Sequence, residues 1–293
     1  MGAGSTVVIG AAVDVVDAVD AGSDDDSDAD IDVDDSTGVV AASLESSEQP
    51  TPAIVRATTA TGRSARGPVA MANERTVAIV RDNGGMSTPT ITLHWSNADV
   101  EVHKVVVGSY DNNVFVVRCR HTGESVLIDA ANEHELLLEM CQRLDVRRVL
   151  ETHGHWDHIG AVSQLREAGY EVAVTAADAP MLKDVGYDVF LDDKEVIEVG
   201  RLRLHAIHNP GHTPGSISFQ VEGTPLLFTG DTLFPGGPGA TKFEGGDFAT
   251  IIDSIDNKLF LFPEHTIVLP GHGGDTTIGA ERPHLAEWVA RGW

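Results

Sequence analysis

The sequence has little cysteine, little positive charge and no long apolar run. Two cysteines, Cys119 and Cys141, stand alone in 293 residues. They cannot build a disulfide framework, and a reducing cytoplasm is the plain expectation. No apolar stretch approaches the ~20 residues of a membrane span. Residues 1–20 lack a basic segment, and Asp14, Asp17 and Asp20 interrupt their only apolar stretch, so no secretory signal is expected. Lys and Arg number 20 against 45 Asp and Glu, a formal net charge of −25. The deficit is not confined to one end: residues 1–85 hold 15 acidic and 5 basic side chains, the remainder 30 and 15. Such a surface repels phosphate backbones, which argues against nucleic acid as a partner. A covalent acyl-enzyme also has no candidate nucleophile, since there is no G-x-S-x-G elbow and no activated cysteine.

What the chain does have is material for a core. It is 42% hydrophobic over a length that suits one large domain or two small ones. Residues 1–85 are expected to be a disordered acidic extension, because the block from Asp24 to Asp35 is too charged to collapse. Its alternating aspartates do not make a calcium loop: no Gly stands at the sixth position from Asp28 or Asp30, and no Glu at the twelfth. Met71 and Met86 offer internal starts that would shorten or remove this extension. Residues 86–293 read as one folded domain.

Within that domain, runs rich in Val, Ile, Thr and Phe at 90–95, 100–107, 113–120 and 125–129 predict an antiparallel meander. Asn132, with Glu135 three residues on, predicts an N-cap for a helix turning Leu136, Leu137, Met140, Cys141 and Leu144 inward. A strand over 146–151, a helix over 157–168, a strand over 171–175 and a helical 176–184 follow. The second half predicts strands at 195–199 and 202–208 and a hairpin of 216–221 with 225–229. A helix over 247–261 turns Ile251, Ile252, Ile255 and Leu259 inward, and a strand over 266–269 closes the pattern. Strands then helices, twice over, predict an α/β fold of two sheets packed face to face with helices outside.

Ligand-type side chains are concentrated in Thr152-His153-Gly154-His155-Trp156-Asp157-His158. Side chains two apart share a face of an extended chain, so His153 and His155 converge at a strand end. Asp157 and His158 fall where the next helix would begin. His212 stands at the tip of a Pro/Gly-rich loop, Asp231 follows a strand in Gly230-Asp231-Thr232-Leu233-Phe234, and His272 lies in Pro270-Gly271-His272-Gly273. Each sits where a strand stops and a loop turns. Neutral imidazoles with carboxylates suit zinc, iron or manganese.

The succession T-H-x-H-x-D-H, G-H-T-P-G-S, T-G-D-T-L-F and P-G-H-G resembles the metallo-β-lactamase-fold hydrolase superfamily over residues 86–293. Its details resemble the short bacterial glyoxalase II-like (hydroxyacylglutathione hydrolase-like) enzymes, including the late run Thr276-Thr277-Ile278-Gly279-Ala280-Glu281-Arg282. The resemblance implies an αββα four-layer sandwich of two mixed sheets. It implies a first metal on His153, His155 and His212, a second on Asp157, His158 and His272, and Asp231 bridging both. The ions would be two divalent cations, zinc ahead of iron or manganese. The other eight histidines match no motif. Longer glyoxalase II enzymes carry a C-terminal helical domain whose basic residues grip glutathione, whereas this chain ends 21 residues after His272. Where many short relatives carry an Arg-Thr-Asp run, it reads Gly239-Ala240-Thr241-Lys242-Phe243-Glu244-Gly245-Gly246-Asp247. The thiol carrier is therefore open.

Two divalent ions about 3.5–4 Å apart share a water and lower its pKa from 15.7 to about 7. Two such ions less Asp157 and Asp231 leave a net positive centre that delivers hydroxide to an acyl carbon and holds the oxyanion. The expected substrate is a small-molecule thioester or lactone, with Asp157 and Asp231 catalytic and Thr241, Lys242 and Phe243 as substrate contacts. The competing expectation is a mononuclear iron persulfide dioxygenase on the same fold. A β-lactamase and a nuclease stand behind both.

Overall fold

The computed structural model of the protein describes residues 91–292. The extension expected over residues 1–85 lies outside them. The first sheet holds β1 (Thr92–Ser96), β2 (Val100–Val107), β3 (Asn112–Cys119), β4 (Ser125–Ile128), β5 (Val146–Leu150), β6 (Glu171–Thr175) and β7 (Val189–Leu191), side by side in that order. Pairing is antiparallel from β1 to β4 and parallel from β4 to β7. The second sheet has β8 (Val196–Val199), β9 (Leu202–His208), β10 (Ile217–Val221), β11 (Leu226–Gly230), β14 (Ile267–Pro270) and β15 (Thr276–Thr277). Its order is β15-β14-β11-β10-β9-β8. A small hairpin of β12 (Leu233–Phe234) and β13 (Gly237–Pro238) stands apart.

Period-two alternation on β3 shows how the layers form. Val114 and Val116 face one way, onto Leu137, Met140 and Cys141 of α1 (His134–Leu144) and Val162 and Leu165 of α2 (Val162–Glu167). Phe115, Val117 and Cys119 face the other way, onto Leu204, Phe219 and Phe228 of the second sheet. A strand buried on both faces needs this nearly unbroken apolar run. The Phe115 and Phe228 rings meet edge to face, centroids 5.2 Å apart; truncating either to Ala costs about 3–5 kcal/mol. On its far side the second sheet buries Leu227 and Val268 against Ile251 and Ile255 of α3 (Phe248–Asn257), Ile278 of α4 (Ile278–Glu281) and Trp288 of α5 (Leu285–Arg291). The layers are helix, sheet, sheet, helix, the expected αββα sandwich. Among the described residues no helix is long and apolar enough to cross a membrane.

Several local expectations fail for identifiable reasons. The cap of α1 is Glu133, in the left-handed region at φ 45°, with no side-chain cap bond. Asn132 instead accepts from the Glu133 N–H at 2.9 Å. The helix expected from residue 157 begins at Val162, because residues 157–161 are docked on the chain after β4. Ala161 N–H donates to Ala130 O at 2.8 Å, and a Cβ on Gly160 would lie 2.5 Å from Ala131 O. Helical 176–184 shrinks to a 3₁₀ turn, Ala179–Leu182, with Pro180 at its start. The helix over 247–261 stops at Asn257 and resumes as the 3₁₀ turn Leu259–Leu261, while Asp247 caps it by accepting from Thr250 N–H at 2.7 Å. Strand β7 was not anticipated.

Candidate metal centre

The ligand loop after β5 is fixed before any ligand is considered. Asp129, just past β4 with φ 63°, accepts from Thr152 N–H at 2.7 Å and from Thr152 Oγ1 at 2.8 Å. Thr152 O in turn accepts from Ile217 N–H at 2.9 Å, joining the two sheets where the ligand loops gather. Strands β11 and β14 run parallel with Gly230 opposite Pro270, so Asp231 and the Gly271-His272 turn leave side by side. Gly271 is required there: a Cβ would collide with Asp231 Oδ1 and lie 2.7 Å from His158 Cε1. Three separate turns thus deliver their side chains to one place.

Four of the five histidines have Nδ1 engaged outside the cluster and Nε2 turned into it. His158 Nδ1 donates to Asp129 Oδ2 at 2.9 Å, His212 Nδ1 to Ala240 O at 2.7 Å, and His272 Nδ1 to Tyr110 O at 2.8 Å. The Thr152 hydroxyl, its proton given to Asp129, accepts from His153 Nδ1 at 3.1 Å. The opposite nitrogens converge. His155 Nδ1 lies 2.8 Å from His212 Nε2, and His158 Nε2 lies 3.1 Å from His272 Nε2. Asp231 reaches across, with Oδ1 3.5 Å from His158 Nε2 and Oδ2 3.6 Å from His212 Nε2 and 3.5 Å from His272 Nε2. Asp157 Oδ2 is 3.4 Å from His272 Nε2 and accepts from Asn112 Nδ2 at 3.1 Å. All seven side chains singled out in the sequence fall into three overlapping groups of metal-ligand spacing. These are His153, His155 and His212; His153, His158 and Asp231; and Asp157, His158 and His272.

This donor set fits divalent cations on its own chemistry. His153 Nε2 and Asp231 Oδ1 are buried with no hydrogen-bond partner. Buried polar atoms are rarely left so, and two of them directed into one cluster are what coordination would satisfy. Burial holds the His153 imidazole well below its ordinary value, and holds His155 down at about 4. Around His272 burial acts the same way, but the Asp157 and Asp231 carboxylates outweigh it and raise its pKa to about 10. For Asp231, burial would raise the carboxyl, yet His158, His272 and His153 hold it well below the carboxylate range.

A cavity of ≈ 580 Å³ opens over the cluster, lined by Tyr110, Trp156, Met181, Phe243 and Glu244 above His155, Asp157, His212, Asp231 and His272. Of the three expected substrate contacts, Phe243 reaches it, while Thr241 and Lys242 are absent from its lining. Lys242 instead lies over the Phe243 ring, Nζ 5.4 Å from the centroid. The sequence reading missed Tyr110, Trp156, Met181 and Glu244. Trp156 and Glu244 flank anticipated residues and were open to notice; Tyr110 and Met181 come from loops with no motif. Also missed was Asp178, a buried carboxylate that accepts from Gly154 N–H at 2.9 Å, Gly215 N–H at 2.6 Å and Thr213 Oγ1 at 2.6 Å. It ties the loop bearing His153 and His155 to the loop bearing His212.

Comparison with known proteins agrees with the fold. The Metallo-beta-lactamase superfamily profile matches residues 107–272, a span from the end of β2 to His272. The chain belongs to that superfamily. It is 35% identical over 178 residues to hydroxyacylglutathione hydrolase GloC of Haemophilus influenzae, covering 54% of this chain and 84% of that one. Among solved structures it resembles the BLEG-1 B3 metallo-beta-lactamase, with TM-score 0.58 and 31% identity over 62% of this chain and 97% of that one. It also resembles TTHA1623 in a di-iron-bound form, with TM-score 0.54 and 30% identity over 61% of this chain and 96% of that one.

Proposed function

We propose that the protein is a metal-dependent hydrolase that cleaves a thioester or related acyl bond of a small molecule, with two divalent ions at the convergent side chains. The observation that carries this reading is the placement of Asp231, one carboxylate facing His212 on one side and His158 and His272 on the other. His153, His155 and His212 would hold one ion, Asp157, His158 and His272 the other, and Asp231 both. When bound, such a pair ionises water near neutral pH and presents positive charge to a developing oxyanion.

The chain's own residues supply the rest. Carbonyl and carboxylate acceptors on Nδ1 of His158, His212 and His272 hold the Nε2 lone pairs inward. Asp157 is kept ionised, its pKa down at about 2: burial pushes it up, but His272, His158 and Asn112 outweigh that. Tyr110, Trp156 and Phe243 line the cavity above the cluster and give it apolar walls. Among the described residues no Ser, Thr or Cys lines the cavity, so acyl transfer to a hydroxyl or thiol of those types has no acceptor there.

The relative in Haemophilus influenzae supports a thioester, since hydroxyacylglutathione is one. Five imidazoles and two carboxylates accept zinc, iron or manganese; zinc is our first choice, with iron its competitor. The deciding experiment is metal analysis with an activity panel of an S-acyl thiol, a lactone, a β-lactam and glutathione persulfide, run with and without oxygen. Thioester cleavage independent of oxygen is expected. Inert thioesters, with stoichiometric oxygen uptake on persulfide, would establish the mononuclear iron dioxygenase instead.

A further inference from the structure

Three large aromatic side chains are left exposed around one opening. Tyr110 is 56% exposed, Trp156 64% and Phe243 52%. Tyr110 and Trp156 meet edge to face at 4.9 Å, and Phe243 stands against the His155 ring at 5.4 Å. Met181 packs over Gly154 at the same cavity. Grouped exposed apolar surface at a concave site is what an apolar ligand covers. The charges around it point the same way. Asp157 and Asp231 belong to the metal cluster, and the remaining charged lining residue is Glu244. Among the described residues no Lys or Arg lines the cavity, and Lys242 faces the Phe243 ring. A carrier with several carboxylates would lose hydration against aromatic walls and meet a like charge at Glu244. The chain's net charge of −25 opposes its approach as well.

We propose, on the basis of the thioester-hydrolase reading, that the substrate is a thioester whose thiol portion is an uncharged aromatic or alkyl group. That group seats among Trp156, Tyr110 and Phe243, and anionic peptide thiols are poor carriers. Attack on the acyl carbon breaks the C–S bond, and water supplies the oxygen of the carboxylate and the proton of the released thiol.

The test compares S-benzyl thioacetate with S-acetylglutathione on the metal-loaded enzyme, each normalised to its own rate of alkaline hydrolysis. The benzyl ester is expected to be preferred in kcat/KM by about tenfold or more, the scale of one well-filled apolar contact. Trp156→Ala and Phe243→Ala, with metal content verified, should each shrink that preference about tenfold, chiefly through KM. Phe243 lies outside the loop that carries His153 to His158 and touches only the His155 ring, so with metal content verified its variant stands even where Trp156→Ala disturbs that loop. Glu244→Lys should raise kcat/KM for S-acetylglutathione, and added salt should erase the gain. Equal or better use of S-acetylglutathione by the unmodified enzyme overturns the proposal and leaves the thioester reading intact. So does a benzyl preference that survives both aromatic substitutions. If neither ester is cleaved, the thioester reading itself is wrong and this inference falls with it.

Discussion

His153, His155 and His212 are positioned largely by backbone and by Asp178, whose carboxylate joins their two loops. Asp157, His158 and His272 are positioned from the opposite flank, by the Asn112 side chain on Asp157, the Asp129 carboxylate on His158 and the Tyr110 backbone carbonyl on His272. The electrostatics divide the same way. In the first cluster burial keeps the imidazoles neutral, a form ready to coordinate. In the second, burial is outweighed for His158 by Asp231 and Asp129, and for His272 by Asp157 and Asp231, so both pKa values are raised. One superfamily site therefore joins a cluster whose imidazoles bind protons weakly to one where protons compete more strongly with an ion.

Removing a ligand from the second cluster should separate the two most sharply. Asp157→Ala is expected to reduce turnover by on the order of 10²–10³ while the first ion stays, measured as kcat alongside metal content. A drop of that size with both ions lost would show that the clusters do not act separately. Positioning residues should show the same division more gently. Asp178→Asn is expected to weaken metal affinity about 10–100-fold at the first cluster, and Asp129→Asn by a similar factor at the second. Metal titrations of the two variants resolve this, and identical profiles would abolish the distinction.

The comparison was partly open to reading before the fold was known. Ligands in short runs, such as His153 to His158, declare themselves because the strand-end spacing is local. Strand β3 is legible for a similar reason: its nearly unbroken apolar run from Val114 to Val117 is local and marks a strand buried on both faces. Asp178 and Asp129 are invisible in sequence because their partners lie 24 to 37 and 23 to 29 residues away, brought close by sheet pairing alone. The late start of α2 has the same origin, since Ala130 and Ala131 hold residues 160–161 and no local propensity reports that. Tyr110 contributes a carbonyl to His272, and a carbonyl has no sequence signature.

Proton release supplies a smaller, graded test. Lowering pH from about 8 to about 6 should weaken ion uptake by the second cluster more than by the first, because His158 and His272 bind protons more tightly there. The linkage to stability has the opposite sign in protein stripped of metal. The raised His272 pKa stabilises that fold fully below its ordinary value of about 6.5, and the contribution is lost as pH rises through about 10. Chelated protein melted across this range should lose Tm on the alkaline side. The smallest effect expected is that of removing residues 1–85, which precede all seven ligand-type positions from His153 to His272; turnover should stay within about twofold.

The central claim is that one carboxylate serves both clusters, and metal stoichiometry of Asp231→Ala against His272→Ala tests it most directly. Elemental analysis of the unmodified enzyme should find about two divalent ions per chain. Asp231→Ala should deplete both sites, and His272→Ala mainly one. Equal metal loss in the two variants, or a single ion in the unmodified enzyme, would contradict Asp231 as the shared ligand.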